Sequence, residues 1–149
     1  TPKPASAASD VYKRQIYDTT DPYTTLRVQL ESLRKGDTKT VYQLASPSNR
    51  QATAQGGYHF EVFDTMVRSS TYSPLLYFKR FKTIYKEQQS PHTYVANILI
   101  TQKTKSYVFR FEMSLQETKQ IDTHESLTPY QLTKNHPPVW RTDSVIRLK

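Results

Sequence analysis

The feature that most limits the fold of this chain is a change of hydrophobic period near Pro74. Before it, apolar side chains recur every three or four residues; after it, they recur every second residue. The second habit is clearest in SYVFRFEMSLQ, where Tyr107, Phe109, Phe111, Met113 and Leu115 alternate with Val108, Arg110, Glu112 and Ser114. That alternation predicts a strand with one packed face and one wetter face. TYVANILIT precedes it across QKTK, a connection of hairpin length, so the two should pair antiparallel. LLYFKRFKTIYK, rich in aromatic and β-branched residues, predicts another strand. PPVWRTDSVIRLK predicts a fourth, with Trp140, Ile146 and Leu148 facing inward.

The first half carries helix signals. In DPYTTLRVQLESLRKGD, Asp21 suits an N-cap, Pro22 the first helical position, and Leu26, Leu30 and Leu33 form one stripe before Gly36 stops it. A second helix is predicted from Asp37 through TKTVYQLA, with Val41, Leu44 and Ala45 inward, closing where Ser46 precedes Pro47. SPSNRQATAQGG reads as a loop. YHFEVFDTMVR then places Phe60, Phe63, Met66 and Val67 on one helical face, with Arg68 able to meet the last carbonyls of that helix. Helices first and antiparallel strands afterwards define an α+β domain: three N-terminal helices packed on a sheet of about four strands.

Two segments stand apart. Residues 6–15, SAASDVYKRQ, hold too little apolar surface to offset the entropy of ordering them. A run of ten codons from transposase-based sequencing adapters translates to these ten residues in order. Residues 1–15 are therefore expected to be a non-native, unpacked extension, outside any fold argument. On that reading the natural N-terminus is expected to be missing, with any signal or transit peptide, and localisation stays open. Setting aside Lys3, Lys13, Arg14 and Asp10 lowers the formal charge from +8 to +6. Residues 16–149 remain as one domain of ordinary size. Within it, the polar stretch 117–137 is longer than a bare loop in a compact domain usually is, and is expected to be a flap or an insertion with a helical turn.

Composition removes several chemistries. The chain has no Cys, which excludes disulfides, thiolate metal sites and thiol nucleophiles together. Three Gly residues leave no phosphate-cradling loop. No apolar run approaches the length of a membrane span.

Four motifs taken in order carry a resemblance: QLESLRKGD over Gln29–Asp37, LASP over Leu44–Pro47, MVRSSTYSP over Met66–Pro74 and WRTDSV over Trp140–Val145. Together they resemble the bacterial and algal domain of unknown function 4864, a family placed with the nuclear transport factor 2-like, or cystatin-like cone, superfamily. The matching elements span nearly all of the chain after residue 15, and the segment 117–137 departs from the compact form of the pattern. The resemblance implies a strongly curved sheet wrapped around the helices, a cone whose open end can hold a small ligand. Its superfamily includes isomerases, dehydratases, transport factors and dimerisation modules, so it implies a fold and no particular activity.

Candidate chemistry is sparse. His59, His92, His124 and His136 fall at no metal-ligand spacing, and neither a metal nor a cofactor is expected. A cone enzyme would need a pocket acid or base, for which Asp64 or a tyrosine such as Tyr42 are the candidates; a solvated helix residue is the plainer reading of Asp64. Asp143 and Glu112 should face outward and pair across strands with Arg141 or Arg110. Eleven tyrosines are the unusual abundance. Phe63, Tyr94, Tyr107, Phe109, Phe111 and Trp140 are expected to line a site for a small hydrophobic ligand, although most such residues serve simply as strand formers. Lys79, Arg80, Lys82 and Lys86 are interleaved with aromatics, as in a nucleic-acid surface or as in a guarded edge strand. The leading expectation is a non-catalytic domain binding a small hydrophobic ligand or a protein partner, with a homodimer through the sheet as one form of the latter. The alternatives are a cofactor-independent isomerase or lyase, and a nucleic-acid-associated module using residues 77–86.

Overall fold

A computed structural model describes residues 21–53, 59–116 and 138–149. The expectations for residues 1–15 and 117–137 lie outside the described residues. Helix α1, Pro22–Arg34, starts where its capping chemistry dictates. The Asp21 carboxylate accepts the backbone N–H and the hydroxyl of Thr24, both at 2.8 Å, and Pro22 has no N–H to leave unsatisfied. Leu26, Leu30 and Leu33 are buried as one stripe. The helix closes on Gly36 at φ 77, with the Gly36 N–H on Leu33 O (2.9 Å) and the Asp37 N–H on Ser32 O (2.8 Å). These two bonds satisfy its last carbonyls and need a left-handed residue between them.

Helix α2, Thr38–Gln43, begins at once on Asp37, whose carboxylate accepts the Thr40 N–H (3.2 Å). Val41, Leu44 and Ala45 are buried as expected. The next segment departs from the loop expected of SPSNRQATAQGG: a third helix, α3, runs over Pro47–Thr53. Ser46 Oγ accepts the Asn49 N–H (3.2 Å), so Ser46-Pro47 opens a helix by the same logic as Asp21-Pro22. With α4 over His59–Val67, the described residues hold four α-helices rather than three.

Strands β1 (Arg80–Ser90), β2 (Thr93–Thr101), β3 (Ser106–Gln116) and β4 (Val139–Arg147) form one antiparallel sheet in the order β1-β2-β3-β4. β1 starts later than LLYFKRFKTIYK suggested. Ser73–Leu75 make a 3-10 turn, and Tyr77 takes φ 56, a left-handed conformation that a bulky side chain adopts only under constraint and that breaks an extended strand. β1 then runs on through polar residues to Ser90.

The inward face of the sheet carries Ile98, Ile100, Phe109, Phe111 and Met113, all buried in one cluster with Leu26, Leu30 and Leu33. Each such side chain contributes about 1.5–3 kcal/mol by leaving water. With the helices segregated from the strands along the chain, the domain is α+β. The ladders are interrupted by β-bulges at Ile84 and Gln89 in β1 and at Asp143 in β4. The bulge in β4 corrects the sequence reading of the last strand. Trp140 pairs with Leu115 and Thr142 with Met113, but beyond the extra residue Val145 pairs with Phe111 and Arg147 with Phe109. The inward phase passes from even to odd positions, so Ile146 and Leu148 are 42% and 50% exposed instead of inward.

Candidate ligand cavity

The same bulge shapes one wall of a cavity of about 280 Å³ between α1, α2, α4 and β4. Its apolar lining comes from Leu33, Val41, Phe63, Met66, Val67 and Leu75. Gln29, Asn49, Asp143 and Ser144 form its polar edge, with Tyr72 and Val145 closing the side toward the 3-10 turn. The groups at that edge are largely committed. Ser114 Oγ donates to the Asp143 carboxylate (2.9 Å) and Ser144 Oγ to that of Glu112 (2.6 Å), so both bulge side chains are held by residues alternating away from Met113. The Tyr72 hydroxyl donates to Val145 O (3.0 Å).

Thr142 organises the wall. Its N–H donates to Leu44 O (2.8 Å), and its carbonyl accepts the Ser46 N–H (2.8 Å) and Asn49 Nδ2 (3.1 Å). Its hydroxyl donates to Gln29 Oε1. Ala45 and Thr142 thereby form a parallel bridge that fastens the helical layer to the sheet. A cavity of this size holds a body of about ten non-hydrogen atoms at interior packing density.

Of the six expected ligand contacts, Phe63 borders the cavity. Phe109 and Phe111 are fully buried core filler. Tyr94 and Trp140 meet edge-to-face at 6.4 Å, and Tyr107 lies under the Arg147 guanidinium at 4.9 Å. The Tyr94 hydroxyl has no hydrogen-bond partner among the described residues, and burial pushes its pKa up to about 12.

Asp64 does not border the cavity. It accepts the Thr38 hydroxyl (2.6 Å) and pairs with Arg68 Nε (3.1 Å), tying α2 to α4. Arg68 is thus held by a carboxylate rather than by the helix carbonyls. Tyr42 is buried, edge-on to Phe60 and Phe63 at 5.6 and 5.1 Å, with the Arg50 guanidinium over its ring. Glu112 does pair with Arg110 (3.3 Å), but along β3 rather than across strands. Arg141 is buried, meets no carboxylate among the described residues and donates to Trp140 O (3.0 Å). Burial and the nearby charge of Arg50 lower its pKa to about 9.

Lys79, Arg80, Lys82 and Lys86 are all exposed on or beside β1, an edge strand. They do not form one stripe. The Ile84 bulge puts Lys82 opposite Leu99 and Lys86 opposite the buried Ala96, and the Lys86 ammonium sits 4.3 Å over the Tyr23 ring. Lys79 instead borders a wide, shallow groove with Lys103 and Lys105. His92 lies in the exposed β1–β2 turn; the side chain of His59, and His124 and His136, lie outside the described residues. Among the described residues no group of three His, Cys, Asp or Glu gathers as a metal site, and no helix is long and apolar enough to cross a membrane.

Gln29, Asn49 and Thr142 escaped the sequence reading. The available signal was Gln29 itself, a polar residue on the stripe defined by Leu26, Leu30 and Leu33. Compared with family models, curated proteins and solved structures, the chain matches none.

Proposed function

We propose that the domain binds a small, largely apolar ligand in the cavity between α1, α4 and β4, without performing chemistry on it. The observation that carries this reading is the lining: an apolar hollow whose acidic neighbour, Asp143, extends its carboxylate to Ser114, which alternates away from buried Met113, and whose Tyr72 hydroxyl donates to Val145 O. A general acid or base needs a free ionisable group at the reacting atom. The engagement of Asp64 with Thr38 and Arg68, away from the cavity, supports binding over an isomerase or lyase role. The cone architecture of the nuclear transport factor 2-like superfamily belongs to the same proposal, supported by the four motifs of the sequence and by bulges of the kind that curve a sheet.

Butylbenzene, with about the right bulk for the cavity, is expected to raise the melting temperature in proportion to the logarithm of its concentration. Val67→Phe, which fills the hollow, should abolish that rise while itself melting no lower than about 1–3 kcal/mol of overpacking allows. A wild-type protein whose melting point and methyl NMR spectrum ignore butylbenzene would rule the reading out.

A further inference from the structure

We infer that the ligand carries a neutral carbonyl oxygen received by the side-chain amide of Gln29; this rests on the cavity reading above. Gln29 is 2% exposed and borders the cavity from the apolar stripe of α1. Its oxygen is taken, since Thr142 Oγ1 gives its proton to Gln29 Oε1. The Thr142 backbone is equally committed, to Leu44, Ser46 and Asn49, so the bonding that fixes Gln29 is itself fixed. Gln29 Nε2, by contrast, donates to no described residue. Among the described residues the buried side-chain atoms without a partner are the Tyr94 hydroxyl and Asn97 Oδ1, so Gln29 Nε2 stays within reach of water at the cavity, and an acceptor entering there would take that water's place on one of its two N–H donors.

The chemistry of that acceptor is narrowed by charge. No Lys or Arg borders the cavity, so an ionised carboxylate would lose its water without gaining a countercharge. At Gln29 Nε2 an ammonium would meet a donor where it needs an acceptor, and the carboxylate of Asp143 is turned to Ser114 instead. A ketone, ester or amide oxygen on an apolar body fits both the donor and the surrounding hydrocarbon. Asn49 is held at the same cavity edge, with one of its two Nδ2 protons on Thr142 O.

The test compares butylbenzene with 4-phenyl-2-butanone, two bodies of similar size that differ by the carbonyl. In the wild type, the ketone should shift the Gln29 side-chain amide proton signals downfield in a ¹⁵N-edited NMR spectrum, and butylbenzene should not. Gln29→Met should weaken the ketone about five- to tenfold and leave butylbenzene within about twofold, the loss of one hydrogen bond. The ionised 3-phenylpropionate should bind more weakly than the ketone. Amide signals unmoved by a bound ketone, or equal losses for both probes in Gln29→Met, would overturn the inference and leave the cavity reading standing. Binding of neither probe to the wild type would overturn both. The wild-type spectrum decides the matter if Gln29→Met does not fold.

Discussion

Tyr94 concentrates the tension between burial and polarity at the residue scale. Its ring packs edge-on to Trp140, while its hydroxyl lies buried without a partner among the described residues. An unsatisfied buried hydroxyl destabilises by about 1–3 kcal/mol, so Tyr94→Phe is expected to raise stability by about 1 kcal/mol, read as a higher urea midpoint. The pH dependence arises from the same burial. The folded hydroxyl titrates near 12 against an ordinary value of 10, so between those values the unfolded chain holds fewer protons than the folded one. Stability contributed by the neutral hydroxyl is intact below pH 10 and is lost as pH rises toward 12. Tyr94→Phe lacks that loss, and its advantage over the wild type should widen above pH 10; a constant gap would contradict the assignment.

At the scale of elements, α1 is defined by two local devices of different strength. Asp21→Ala removes one cap and should cost about 1 kcal/mol. Gly36→Ala places a side chain at φ 77, and its Cβ would collide with the hydroxyl and ring of Tyr77. Tyr77 is 66% exposed and can swing aside, so the backbone strain dominates and the cost should be about 1–2 kcal/mol. Urea denaturation of both variants should show the larger loss for Gly36→Ala. Signals of this local kind explain why α1, α2, α4, β2 and β3 were legible from spacing and caps alone. Pro47 was ambiguous because a proline both ends one helix and starts the next, and only the Ser46 cap distinguishes the two. The phase of β4 was not legible at all. A bulge at Asp143 exists only in relation to Glu112 and Met113 on another strand, so alternation within PPVWRTDSVIRLK pointed Ile146 and Leu148 the wrong way. The candidate site divides likewise. Phe63 follows from its helical face, but the role of Gln29 depends on Thr142, 113 residues away, and no local pattern encodes that distance.

For the whole molecule, helices and sheet are stitched together by few bonds of large sequence separation. The Ser46 N–H on Thr142 O and the Thr142 N–H on Leu44 O are the backbone links between layers at the cavity wall. If the layers unfold as one unit, the amide protons of Ser46 and Thr142 should exchange with solvent only as slowly as those of Ile98 and Phe109 in the sheet centre. Faster exchange at Ser46 would mean that the helical layer opens alone. The arrangement also has a consequence for the order of synthesis. The helices and three strands emerge from a ribosome before β4, yet the Leu44 carbonyl, the Ser46 N–H and Asn49 Nδ2 have their partner in Thr142. The early-made half therefore waits, with its cavity wall missing and its inner face uncovered, for a strand made about ninety residues later; that wait is when a chaperone has most to hold.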